Sequence, residues 1–177
     1  MAERRSGGRP PKLRAVTETF CPAPGSLDYF EHDADFGVVG RGPNVETAFV
    51  QAARAMFAIM VELDALRDGE HLAFEFEETD LELALVEWLN RLLAEARCRG
   101  LALGRFALRR PLTPPSPPRG RGKGEGATVR GQWHGEAWGQ RWNDRLARGT
   151  EVKGATLTML SVRQVAGQWE ARCVVDV

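Results

Sequence analysis

The 177-residue sequence has no excess of charge of either sign, since lysine plus arginine and aspartate plus glutamate each number 24. A balanced chain carries no overall field that would draw it onto nucleic acid or an anionic membrane, so any basic contact must be local. The sequence also lacks an apolar run close to the roughly 20 residues that cross a bilayer, and no apolar signal region follows Met1. We therefore expect a cytoplasmic protein that makes no membrane contact.

Motifs for redox, hydrolytic and phosphate-binding chemistry are also missing. Cys21, Cys98 and Cys173 are too far apart for a paired-cysteine motif, which argues against a zinc site or a redox dithiol. No serine or cysteine stands beside a histidine in a recognisable nucleophile motif. The glycines at 120–126 neither follow a strand nor open a helix, as a phosphate-binding loop would. We predict no catalytic residue and no cofactor-binding residue, and hence a protein that is not an enzyme.

The length and local composition predict one domain with two irregular segments. A chain of 177 residues can bury one core but is short for two. Residues 1–26 mix Arg, Gly, Pro and Ser without hydrophobic periodicity, which predicts a flexible N-terminal tail ahead of a single domain at 27–177. Residues 111–127 are rich in Pro and Gly, which disfavour a strand ladder, so this stretch is predicted to be a disordered loop.

Hydrophobic periodicity predicts two helices among several strands. The first helix starts at the cap Asn44 and runs to about Val61, and the second has capping-box spacing at Thr79 and Glu82 and stops at Gly100. Strands are predicted at about 28–40 with a bend near the acidic pair, 72–76, 101–110, 128–138, 151–162 and 168–175. This order predicts an α+β fold, a two-layer sandwich in which two helices pack on one face of a mainly antiparallel sheet.

Carboxylates beside two of these strands suggest a cation site. Asp33 and Asp35 lie near the start of the domain, and Asp176 precedes the last residue, Val177. If the two strands are neighbours, hard oxygen ligands gather at one point, and calcium takes about six to eight oxygens. A simpler explanation is also open, in which the first pair caps a turn and Asp176 is a solvated chain end.

Five blocks, in order over about residues 28–177, resemble the archease family. The run His32–Asp35 is similar to that family's His-Thr-Ala-Asp signature, with Asp33 in the Thr place. The remaining blocks are Val86–Leu93 leading to Arg99–Leu101, Gly135–Gly139, Gly149–Lys153, and Trp169–Val177. One departure follows the fourth block, where Leu157 and Thr158 stand in place of the Tyr-His that is typical of the family.

The resemblance implies an accessory activator of an RtcB-type RNA ligase, an enzyme that uses GTP and manganese to join RNA ends in tRNA splicing or RNA repair. This chain would promote ligase guanylylation and turnover, while RNA and GTP would bind the ligase. The resemblance places cation ligands at Asp35, Asp176 and a main-chain oxygen of Val177. Beside them, Asp33 could add another oxygen in support. His32 could be a ligand or a hydrogen-bond donor to a carboxylate, although a plain strand residue is the preferred interpretation. It implies calcium as the ion, with magnesium and manganese as alternatives.

A different class of function is also compatible with the residues, namely an RNA-binding or chaperone-like protein-interaction module that acts without a metal. A basic string could contact RNA phosphates, although no aromatic residue is interleaved with it for base stacking: Arg109, Arg110, Arg119, Arg121 and Lys123. An exposed tryptophan pair would suit a protein contact, and four candidates lie on or near the late strands: Trp133, Trp138, Trp142 and Trp169.

Overall fold

The computed structural model describes residues 28–32, 35–110 and 131–177. The tail predicted at 1–26, the loop predicted at 111–127 and the candidate ligand Asp33 lie outside the described residues, so those interpretations stay predictions. No helix in the described ranges has both the length and the apolar character needed to span a membrane.

Two α-helices and eight strands make up the described chain, which confirms the α+β class. Their order is β1 (Asp28–His32), β2 (Asp35–Gly42), α1 (Val45–Met60), β3 (Glu70–Glu77), α2 (Leu81–Arg99), β4 (Leu101–Arg109), β5 (Gln132–Arg141), β6 (Gly154–Ala155), β7 (Ser161–Val165) and β8 (Gln168–Asp176). A short 3₁₀ helix, Leu63–Ala65, follows α1.

The strands form two antiparallel sheets. The larger sheet has the order β1-β2-β8-β6, and β7 also pairs with β8. The smaller sheet has the order β3-β5-β4. Periodicity predicts which face of a strand is buried but not which strand it joins, because partners are chosen by contacts between distant parts of the chain. Strands that the sequence suggested for one sheet are therefore divided between two.

Two predicted strands are each divided into shorter elements. The strand expected at 28–40 is an antiparallel hairpin of β1 and β2, with His32 opposite Asp35. The strand expected at 151–162 is broken between β6 and β7, where Met159 has a φ of 50°. A left-handed backbone at a non-glycine residue is incompatible with a continuous strand, so the prediction of one strand there is wrong.

The helix ends are mostly as predicted. The Asn44 side chain caps α1, and Gly100 ends α2 with a φ of 64°. The capping box predicted at Thr79 is wrong, because the cap is Asp80, whose carboxylate accepts a hydrogen bond from the Glu82 N–H at 2.8 Å. Thr79 and Asp80 are neighbours and both are favourable N-cap residues, so the sequence alone did not show which of them caps the helix.

The helices contact strands of both sheets and enclose the core. Gly40 allows α1 to lie close to β2, since a Cβ atom there would be 2.0 Å from the Ala48 carbonyl oxygen. Trp88 of α2 is fully buried, and its indole N–H donates to the Phe49 carbonyl of α1 at 3.1 Å. Its ring also packs against Phe74 of β3 with centroids 5.6 Å apart. Trp88 thus joins both helices and the smaller sheet.

Two weak acids, the half-buried Tyr29 and the buried Cys173, make the stability of the fold sensitive to alkaline pH. The Tyr29 hydroxyl donates to the Ala55 carbonyl at 3.0 Å, and burial raises the pKa of Tyr29 to about 12. Burial likewise raises the pKa of the Cys173 thiol to about 12. The folded chain therefore holds both protons more tightly than the unfolded chain. At pH values below the pKa that each group has in the unfolded chain, the two groups contribute fully to stability. That contribution is lost as pH rises through the pKa that each group has in the folded chain.

Replacing Tyr29 with phenylalanine should remove one of these two contributions. We expect Tyr29→Phe to lower the free energy of unfolding by about 1 kcal/mol at neutral pH, because the hydrogen bond is lost. Between the ordinary tyrosine pKa of 10.0 and the raised value of about 12, stability should fall less steeply with pH than in the parent. Urea unfolding over this pH range measures both effects, and an alkaline slope equal to the parent's would contradict the assignment.

Candidate functional site

The pairing of β2 with β8 brings the two ends of the chain together. Phe36 lies opposite Val175, so continuing the antiparallel register by one residue places Asp35 opposite Asp176. Directly opposed residues share a face of the sheet, with Cβ atoms about 4.5–5.5 Å apart. His32 is the β1 partner of Asp35. The backbone therefore gathers three of the five predicted site residues in one row.

Asp35 and Asp176 lie on the face of the larger sheet that is turned away from α1. Val38 and Cys173, which are paired on the opposite face, are completely buried. Asp35 is half-buried and Asp176 is exposed. The two carboxylates can therefore bind a cation at the surface without the cost of burying an isolated charge.

Lys153 holds the chain terminus. Its backbone N–H donates to the Asp176 carbonyl at 2.7 Å, and its ammonium group donates to the main-chain oxygen of Val177 at 2.8 Å. That oxygen is one of the predicted cation ligands. A divalent ion using it would compete with Lys153, and sequence reasoning missed this contact although Lys153 closes the block Gly149–Lys153.

The acidic end, defined as Asp35, Asp176 and Val177, provides oxygen donors only. An all-oxygen donor set fits a hard cation such as calcium, magnesium or manganese. In the part of the chain that the structure describes, no group of three or more His, Cys, Asp or Glu side chains is placed to hold a metal ion. The acidic end alone is short of the about six to eight oxygens of a calcium site, so waters, a supporting side chain or a partner would supply the rest.

The departure from the family's Tyr-His lies close to the acidic end. The Val174 N–H donates to the Thr158 carbonyl at 3.1 Å, which holds this segment along β8 two residues before Asp176. Leu157 is 64% exposed. An apolar side chain and a hydroxyl thus stand where the family has a phenol and an imidazole.

The tryptophans do not form one exposed pair. Trp133 is buried, whereas the other three candidates are only partly exposed. The Trp138 ring is covered by the Arg105 guanidinium at 3.7 Å and stacks on the His71 ring at 4.9 Å. Trp142 lies under the guanidinium of Arg148 at 4.3 Å.

The described members of the basic string are tied to carboxylates. Arg109 pairs with Glu136 at 3.0 Å, and Arg110 lies 3.7 Å from Glu46. The other members lie outside the described residues. Solvated ion pairs of this kind contribute little stability, but they reduce the net positive charge available to RNA.

A cavity that no sequence pattern indicated lies beside the acidic end. It has a volume of about 450 Å³ and is lined by the C-terminal ends of α1 and α2, the start of β4, Trp142 and residues 148–151. The Arg97 guanidinium at its edge donates to the carbonyls of Val152 and Lys153. The segment that borders the cavity therefore continues directly into the residue that holds the chain terminus.

Comparison with known proteins gives a consistent result. The sequence model of the Archease protein family matches residues 28–177. A protein archease from Methanopyrus kandleri is 31% identical over 146 residues, which cover 82% of this chain and 95% of that relative. A protein archease from Sulfolobus acidocaldarius is 28% identical over 152 residues, 85% of this chain and 98% of the relative.

Two solved structures have a similar fold. A solution structure of a Methanobacterium thermoautotrophicum protein matches with a TM-score of 0.71 at 23% identity, over 85% of this chain and 98% of that one. A Thermotoga maritima crystal structure, described as an archease and possible chaperone, matches with a TM-score of 0.52 at 16% identity, over 92% of this chain and all of that one. At these identities the similarity concerns the fold alone.

Proposed function

This chain belongs to the archease family, and from that premise we propose that it is an accessory activator of an RtcB-type GTP- and manganese-dependent RNA ligase. It would promote ligase guanylylation and turnover in tRNA splicing or RNA repair, in the cytoplasm, with RNA bound through the ligase. The observation that carries the proposal is the β2–β8 register, which sets Asp35 opposite Asp176 at one end of the two central strands of the larger sheet.

Each residue of the acidic end has a distinct role in this proposal. Asp35 and Asp176 would hold a divalent cation, calcium first and magnesium or manganese as alternatives, with the main-chain oxygen of Val177 as a third ligand and with Asp33 and His32 in support. When bound, the ion supplies positive charge that offsets the repulsion between the two carboxylates. Lys153 fixes the position of Val177 beside them. This accessible acidic end would contact the ligase near its active site and help metal or nucleotide reach a productive arrangement.

A guanylylation assay tests the proposal. The ligase from the same organism is mixed with GTP and the manganese that it requires in single-turnover reactions, with and without this chain, and calcium, magnesium or further manganese is then titrated. We expect guanylylation to be faster with the chain, and faster still where the acidic end is loaded. Equal rates with and without the chain at every cation concentration would sink the proposal.

A metal-independent protein-interaction module is the second candidate, favoured by two exposed apolar side chains. Leu157 and Met159 are 64% and 45% exposed in the segment between β6 and β7. Exposed apolar side chains of this size suit a protein contact. If the chain activates the ligase equally at every added concentration of calcium or magnesium, and Leu157→Ser abolishes that effect, the metal-independent module is the better description.

A further inference from the structure

The cavity beside the acidic end has the size and walls of a ligand site. Its volume of about 450 Å³ lies within the range of roughly 300–1,000 Å³ found for small-molecule pockets. Both helices and the start of β4 provide apolar walls: Phe57, Met60, Leu93, Ala96, Leu101 and Ala102. The indole of Trp142, under the Arg148 guanidinium, closes one side. A flat, apolar-faced group can be enclosed between these surfaces.

Two guanidinium groups give the cavity positive charge. Arg97 donates to two neutral backbone carbonyls, which fix its position without neutralising it. No described carboxylate forms an ion pair with Arg148. The carboxylate of Glu151 also lines the cavity, but it lies 4.0 Å from Arg97 and its side chain is 81% exposed, so it offsets little of this charge. The cavity therefore favours an anion.

We propose that this cavity binds a nucleoside phosphate. The base would lie between the apolar walls and the indole–guanidinium pair, because nucleobases stack on aromatic rings and on guanidinium planes. The phosphate would face Arg97 and Arg148, whose forked donors match phosphate oxygens. The same chemistry is offered by a free nucleotide and by the terminal nucleotide of an RNA strand.

A nucleoside phosphate suits the cavity better than a purely apolar group does. An aliphatic side chain from a partner would cover Arg97 and Arg148 without giving their remaining N–H donors an acceptor, and unpaired buried donors are costly. A free phosphate would leave the apolar walls in contact with water. A ligand with both an aromatic face and a negative charge satisfies both parts of the site.

The site shares no residue with the acidic end, although the two lie side by side. Arg97 contacts the Lys153 carbonyl, and Lys153 contacts Val177. Nucleotide binding is a property of the isolated chain and does not depend on ligase activation. The two proposals can therefore fail separately.

Calorimetric titration of the full chain with GMP, AMP, guanosine and ribose 5-phosphate tests the inference. We expect saturable binding of a nucleoside monophosphate with one site per chain, and binding at least about tenfold weaker when either the base or the phosphate is missing. Arg148→Gln should weaken GMP binding by about tenfold, the loss of one charge-assisted contact. Thr150→Trp should close the mouth and abolish binding, since Thr150 is exposed at the cavity edge.

Arg145→Gln is the matched control. Arg145 is an exposed arginine of the same segment but does not line the cavity, so its replacement should leave GMP binding unchanged. Thermal unfolding of each variant establishes that the fold is intact. The inference is overturned if no nucleoside phosphate binds saturably, or if Arg148→Gln and Thr150→Trp bind GMP as the parent does.

A parallel titration with a short single-stranded RNA separates the two sources of the ligand. If the RNA with a free end binds more tightly than GMP, and Arg148→Gln weakens RNA binding by about tenfold as well, the physiological ligand is an RNA end. If GMP binds more tightly than the RNA, it is a free nucleotide. Both results support the site. RNA binding that Arg148→Gln and Thr150→Trp leave unchanged would place the RNA elsewhere and count against the cavity.

Discussion

Replacing Asp35 or Asp176 with alanine is expected to return ligase guanylylation to the rate seen without this chain. Each replacement removes one of two carboxylates that the β2–β8 register sets opposite each other, and a calcium site of about six to eight oxygens, already short of protein ligands here, would lose one of its two charged ligands. Calcium affinity, measured by calorimetry, should fall by at least about tenfold in each variant. The unfolding temperature should not decrease, because Asp176 is exposed and Asp35 is only half-buried.

Asp144→Ala is the control for the acidic end. Asp144 is an exposed aspartate in the turn after β5, so this variant changes net charge equally but leaves the acidic end untouched. It should stimulate the ligase like the parent. Full stimulation by both Asp35→Ala and Asp176→Ala would show that the acidic end is not needed, and the metal-independent module would then be preferred.

Replacing Trp88 with alanine is expected to have the largest effect on stability, a loss of about 4 kcal/mol in the free energy of unfolding. The side chain is fully buried, packs on Phe74 and donates to the Phe49 carbonyl. Its removal leaves a cavity where α1, α2 and the smaller sheet meet, and it leaves that carbonyl without the donor. Since domains of this size are stable by about 5–15 kcal/mol, such a loss removes a large part of the margin.

Urea unfolding measures the effect, with two variants for comparison. Trp88→Phe keeps most of the apolar volume and should lose less than the alanine variant, with the missing hydrogen bond accounting for about 1 kcal/mol. Leu83→Ala lies on the same helix but is 45% exposed, and should change stability by about 0.5 kcal/mol or less. A Trp88→Ala loss no larger than that of Leu83→Ala would contradict the packing described for Trp88.

Local sequence signals placed the helices well and the strand boundaries less well. Asn44 and Gly100 act at the ends of the helices as predicted, because a cap is decided by a residue and its close neighbours. The cap of α2 was misplaced by one residue, since Thr79 and Asp80 can both accept the bonds. The break at Met159 was missed although the apolar alternation changes phase there, from Leu157 and Met159 to Leu160 and Val162.

The candidate site was predictable only as a set of residues. The resemblance to the archease family pointed to Asp35, Asp176 and Val177, and the family itself is confirmed. Whether these residues hold an ion stays a proposal. The contact between Lys153 and the main-chain oxygen of Val177 was not predicted, because the sequence around a loop lysine does not indicate which oxygen atom its ammonium group will contact.

By itself, the sequence determined the α+β class, the two helices and the family, because periodicity, caps and short ordered blocks are properties of neighbouring residues. Only the tertiary structure decided that the strands form two sheets, that Asp35 faces Asp176, that Lys153 holds Val177, and that a cavity with two guanidinium groups lies beside them. The physical reason is that strand partners and cavity walls come from segments far apart in the chain. Whether such segments come into contact depends on which surfaces pack together in the folded protein, and local sequence patterns do not predict that packing.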